Sequence, residues 1–250
     1  MKSRSGNCYW FEILYSSDYR MKNRKLYFVK PEWNAKILID SCFNGSSKMT
    51  TNLANAVTTF LFNYMFMKYY GKPGVASITI ILYFQFIIVT IFFGYSIGVA
   101  PIISYKYGEK NHSHLHEILK YSLYFLTFSS IVMFGISVIT IKPVLLLFTS
   151  QNTDVFNISI GEFPLYAISF IVIGFNIFAS TFFTALSDGK ISAIISFLRI
   201  FLFLSSAIII LPMIIGEKGI WLATTVAEVL GLGVSAYYLV KKRQKYGYWK

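Results

Sequence analysis

Three histidines, His112, His114 and His116, alternate along one short stretch and are the first candidates for chemistry. On a helix only His112 and His116 share a face, and no Cys or Asp joins them. Solvated histidines of the loop after the second span therefore explain the run better than a metal site does. His116-Glu117 opens the zinc-protease pattern His-Glu-x-x-His, but position 120 is Lys, so the second ligand is missing. There is no Gly-x-Ser-x-Gly and no Gly-x-x-x-x-Gly-Lys, so serine hydrolysis and ATP-driven pumping lack their machinery. Cys8 and Cys42 cannot build a disulfide framework and match no zinc spacing. Asp154, Glu162 and Asp188 fall in loops or at helix ends, where a carboxylate costs little. The residues point away from an enzyme, and no metal or cofactor is expected.

The elements that would carry these residues are written in the composition. The chain has 250 residues, 55% hydrophobic, 18% aromatic and only 14% charged. Soluble domains carry about 25% charged residues. The net charge of +12 accompanies long uncharged stretches from about residue 50 onward, so it reads as a topology bias and not as a nucleic-acid footprint. A helix needs roughly 20 apolar residues to cross about 30 Å of hydrocarbon. Six stretches qualify, at about 38–66, 77–103, 117–141, 160–186, 191–214 and 219–240. The alternating pattern of a membrane barrel is missing, so the expectation is an all-α membrane protein with six transmembrane helices. Residues 1–35 read as a basic cytoplasmic arm without the apolar core of a signal peptide, 36–241 as the helical lobe and 242–250 as a basic tail.

Lys and Arg outside the spans set the orientation. The N-terminal arm and C-terminal tail are rich in them, and loops on the same side add Lys106, Lys110, Lys120 and Lys190. The opposite side has only Lys68, Lys72, Lys142 and Lys218, which puts both termini in the cytoplasm. Gly71, Pro73 and Gly74 are expected to separate the first two spans, Pro143 to close the third, Asp188-Gly189 to turn the chain and Gly216 to close the fifth.

Polar residues inside the spans are expensive and so informative. Lys48, Asn52, Asn55, Thr59 and Asn63 recur every three or four residues and form one stripe of the first span. Lys48 lies roughly 16 Å in from the cytoplasmic end, near mid-membrane. The stripe is either a seam against another helix or the wall of a water-filled path. Its run through most of the span's depth favours the path. The fourth span repeats the theme more weakly with Ser169, Asn176, Ser180 and Thr184, and Gln85 is a lone amide of the second that reads best as a packing contact. Arg199 and Glu228 lie about 13 Å and 18 Å from the cytoplasmic edge on antiparallel neighbours, so an ion pair is expected, as a staple sooner than a proton relay. Gly94, Gly98, Ala100, Gly231 and Gly233 would let helices approach closely.

Several strings also carry a likeness. Phe93-Gly-Tyr-Ser-Ile-Gly-Val-Ala-Pro101-Ile-Ile-Ser-Tyr105-Lys-Tyr-Gly108, Leu61-Phe-Asn63, Ala185-Leu-Ser-Asp-Gly189, Phe197-Leu-Arg199 and Gly219-Ile-Trp221 through Ala227-Glu228 resemble the multidrug and toxic compound extrusion (MATE) family, over roughly residues 26–250. The resemblance implies the C-terminal six-helix lobe of a twelve-helix efflux transporter in the plasma (inner) membrane. It also implies exchange of cationic or amphipathic small molecules against protons or sodium ions, with alternating access between two lobes. An N-terminal lobe is not represented in the sequence, so a separate lobe or a second copy is an implied partner. Alone, the lobe is expected to be inactive; the alternatives are a half-transporter active as a dimer or with a separate N-lobe, and a membrane interaction subunit without transport. Where many relatives carry Ser-Ser-Glu early in their seventh helix, this chain has Ser46-Ser47-Lys48, which reverses the local electrostatics.

Overall fold

Glycines and prolines divide the chain where the apolar runs bend or end. The computed structural model describes residues 35–151 and 153–248, all helix and short connection, with no strand among the described residues. The basic arm expected over residues 1–35 lies outside them except for Ala35, as do Cys8 and the side chains of Cys42 and Lys48. Asp40–Lys250 forms one compact unit. Of the separate Met1–Ile39 unit, the described residues, from Ala35 on, are helical.

Helix α1 (Ala35–Gly108) is broken at Gly71, where φ is 65° and ψ −155°. Only glycine adopts that backbone without strain. Three residues on, a Cβ at Gly74 would lie 2.2 Å from Tyr70 Cβ, so the bend needs two glycines for two reasons. The first two expected spans are the two arms of α1. Helix α2 (His112–Phe148) starts on the Asn111 side chain, which accepts the His114 N–H at 3.2 Å. It buries Leu115, Leu119, Ser122, Leu126 and Ser129 in a helical stripe. It does not close at Pro143: it runs through that proline to Phe148, as apolar membrane helices can when neighbours accommodate the freed carbonyl.

The expected fourth span is two helices, α3 (Asp154–Ala167) and α4 (Ser169–Ala185), bent by 49° at Ile168. Thr153 caps α3 by accepting the Phe156 N–H at 3.4 Å. Helix α5 (Gly189–Phe197) starts on Asp188, which accepts the Ile191 N–H at 3.3 Å. It passes into a π-helical turn at Leu198–Leu204, continues as α6 (Ser205–Ile215), and Gly216 at φ 75° turns the chain into α7 (Lys218–Lys241). A short α8 (Arg243–Tyr246) follows. Four of the described helices are long and apolar enough to cross a membrane, five if the bent α3–α4 pair is one span. The expected count of six is larger because it takes the two arms of α1 separately.

Helix α7 is the hub, packed against α3, α4, the π-helical turn and α6. Its Trp221 is fully buried, meets Phe66 edge-on at 4.8 Å and donates its Nε1–H to Tyr70 Oη at 3.2 Å. That one side chain ties α7 to the residues just before the Gly71 bend. Small residues allow the closest approaches: a Cβ at Gly219 would sit 2.4 Å from the Leu211 carbonyl carbon, and one at Gly174 2.7 Å from the Phe92 ring. Gly94, Gly98 and Gly233 behave differently from expectation. A Cβ at any of them would meet nothing within 4 Å among the described residues.

Candidate transport cavity

A buried seam and a polar edge lie side by side on the first arm of α1. Ala54, Thr58, Phe62, Met65 and Phe66 are buried, whereas Asn52, Asn55 and Thr59 are exposed and Asn63 half-buried. The polar edge borders a cavity of about 690 Å³, within the size range of small-molecule sites. Asn55, Thr59 and Asn63 line it from the first arm, and Thr79, Tyr83, Gln85, Phe86 and Phe93 from the second. The break at Gly71 thus brings both arms of one helix onto one cavity. Tyr166, Ile173, Arg199, Thr224 and Glu228 complete the wall. Gln85 is both lining and contact, accepting the Tyr166 hydroxyl proton.

At the inner wall, the π-helical turn and α7 bring Arg199 and Glu228 together. Arg199 Nη1 donates to Glu228 Oε1 at 2.9 Å and to Oε2 at 3.3 Å, and both side chains are less than a tenth exposed. Asn176 from α4 holds the acid from the other side, donating to Glu228 Oε2 at 2.7 Å and to the Glu228 carbonyl at 2.9 Å, while accepting the Ser235 hydroxyl at 2.9 Å. Both carboxylate oxygens are therefore engaged. Gly231 makes room: a Cβ there would press on Arg199 Cγ at 2.9 Å and on Asn176 Nδ2 at 3.2 Å. Buried charges need this kind of closed partnership, because an ion stripped of water and left unpaired is very costly.

Two residues assigned to a path by their position in the fourth span are placed elsewhere. Asn176 is fully buried in the ion-pair knot. Ser180 bonds Ser192 Oγ and Ser196 Oγ, each at 2.9 Å, and cross-links α4 to α5. Neither lines the cavity; short polar side chains on a well-packed helix found partners in their neighbours. Asn52 is exposed but does not line it either. Lys48 lies on α1 two turns before Asn55, its side chain outside the described residues.

The histidines turn out not to be loop residues. They sit in the first turns of α2, and two of them hold the tail. His112 Nδ1 meets the Tyr246 carbonyl at 3.2 Å and His116 Nδ1 the Tyr248 carbonyl at 2.8 Å, so each ring carries a proton on Nδ1. Tyr246 donates to the Asp188 carboxylate, Lys245 to Tyr246 Oη at 3.0 Å, and Tyr248 to the Leu239 carbonyl at 2.8 Å. Burial pushes the phenols of both tyrosines above their usual range, with the Asp188 contact adding to it at Tyr246. Gly247 is required twice, by its φ of 68° and by His112 Nδ1, 2.2 Å from any Cβ. Among the described residues no group of three or more His, Cys, Asp or Glu is placed to hold a metal.

The geometry has counterparts. None of the curated proteins matches the sequence. Among solved structures, the bent form of the Vibrio cholerae MATE transporter VcmN superposes with a TM-score of 0.81 at 15% identity, over 94% of this chain and 53% of that one. An outward-facing multidrug resistance MATE family transporter of the MOP superfamily gives 0.80 at 16%, over 88% and 50%. A MOP superfamily transporter from Pyrococcus furiosus, described as having a binding pocket of reverse polarity, gives 0.79 at 16%, over 91% and 52%. This chain spans about half the length of each. The likeness establishes the fold, and a family model named MatE matches residues 49–232. The chain belongs to the MatE family.

Proposed function

We propose that the chain forms the C-terminal half of a MATE-type multidrug efflux antiporter in the plasma (inner) membrane. Both ends face the cytoplasm, the arms of α1 cross separately, and cationic or amphipathic small molecules leave in exchange for protons or sodium ions. A partner lobe or a second copy closes the cavity. Transport, not catalysis, is the task. The observation that carries this reading is the cavity of about 690 Å³, bordered by the exposed Asn55 and the half-buried Asn63 of α1 on half of a transporter fold. A polar wall turned toward open space in a membrane helix suits a path for solutes and ill suits lipid.

The test is dye efflux from cells or vesicles containing this chain alone, beside the same chain fused to a related N-terminal lobe, under a proton or sodium gradient. The fusion is expected to lower dye accumulation in a gradient-dependent way. Equal accumulation in fused, unfused and empty membranes would remove the export reading. Lys48→Glu in the fusion is expected to raise export of cationic dyes, because it replaces a repelling charge near mid-membrane by an attracting one.

A further inference from the structure

The charges around the cavity narrow the cargo, given that the cavity is a cargo site as proposed above. Among the described residues its lining holds one cation and one carboxylate, Arg199 and Glu228, and they are spent on each other. Glu228 Oε1 accepts from Arg199 and Oε2 from Asn176 and Arg199, so the acid's charge is balanced by the guanidinium and the pair offers no net charge to a positively charged guest. The rest of the described lining is neutral and mainly apolar, with the hydrogen-bonding side chains of Asn55, Thr59, Asn63 and Thr79 set among rings such as Tyr83 and Phe86 and aliphatic residues such as Leu204. A cation entering this space gives up hydration and finds no uncompensated counter-charge among the described residues. Aromatic faces attract cations only weakly against that loss. We infer that this cavity selects uncharged aromatic amphiphiles bearing hydrogen-bond acceptors, over cations of the same size.

The test uses the full chain in lipid nanodiscs, with empty discs subtracted, and compares equilibrium binding of triphenylphosphine oxide with that of tetraphenylphosphonium. The oxide is neutral and carries a strong acceptor; the phosphonium is a similar propeller of rings with a positive charge. The oxide is expected to bind about tenfold more tightly. Asn63→Asp places an unpaired carboxylate on the wall and is expected to raise phosphonium affinity about tenfold, with Thr59→Asp as the second variant should the first not fold. Phosphonium binding as tight as oxide binding in the unaltered chain would overturn the inference. So would no binding of either, or an unchanged phosphonium affinity in both aspartate variants. Export is a separate readout. A fused transporter that moves cationic dyes while this chain prefers the phosphonium sinks the selectivity alone, and oxide-selective binding without any export sinks the efflux reading alone.

Discussion

Two polar clusters contribute to the wall of one cavity and obey opposite rules. The knot of Arg199, Glu228, Asn176 and Ser235 is nearly closed: its members bond each other at 2.7 to 3.3 Å and are buried, with Arg199 Nε left without a partner among the described residues. The edge of Asn55, Thr59 and Asn63 is open, on the rim of the cavity. In the low-dielectric interior a polar group earns stability only when its partners are in place, so the knot belongs to folding and the rim to ligands. The difference teaches that depth in the membrane does not by itself assign a polar residue to transport.

The sharpest way to break that division is to open the knot. Glu228→Gln or Arg199→Met alone is expected to destabilise the chain by about 3–5 kcal/mol, since each strands a buried charge. The double variant should recover most of the loss, as read from thermal unfolding in nanodiscs. A double variant as unstable as the sum of the two singles would show that the partners act separately. Next in size is Tyr248→Ala, which empties a fully buried aromatic site and is expected to cost about 3 kcal/mol. It should also expose the tail to proteolysis, whereas the rim variants should not. Asn176→Ala removes one of the two residues holding the Glu228 side chain and should cost about 1–3 kcal/mol. The smallest effect on folding is expected on the rim, where Asn55→Ala and Asn63→Ala should stay within about 0.5 kcal/mol of the unaltered chain while weakening triphenylphosphine oxide binding several-fold. Rim variants that unfold the protein without touching binding would invert the comparison.

How much of this was legible in the sequence depends on whether one helix or two decides the answer. The depth of Arg199 and Glu228 follows from span boundaries alone, and the antiparallel turn at Gly216 makes them neighbours, so their pairing could be reasoned out. The stripe of α1 could be read from its spacing. What spacing cannot tell is which face a neighbouring helix covers. Asn176 and Ser180 share the composition of a path, yet α7 and α5 close over them. The bend at Ile168 and the continuation through Pro143 depend on packing around a freed carbonyl, which a local breaker rule does not contain. His112 and His116 find partners more than 130 residues away. The available signal was the Tyr246-Gly247-Tyr248 string beside a basic helix end, small and aromatic where a solvated tail would be polar.

The π-helical turn at Leu198–Leu204 gives the fifth apolar run one place where its length can change without changing its register. Such a turn holds one residue more than an α-helix would in the same rise. Deleting any single residue between Leu198 and Leu204 would restore ordinary winding and leave the downstream helix in its present orientation, whereas a deletion in the α-helical turns on either side would rotate it by about 100°. Ala207 and Ile208, now buried, would keep their seats, while Arg199, inside the turn, would be displaced. For the buried residues downstream, the length of that stretch is therefore under looser constraint than the length of the α-helical turns flanking it, and the penalty for shortening the turn falls on the Arg199–Glu228 pair.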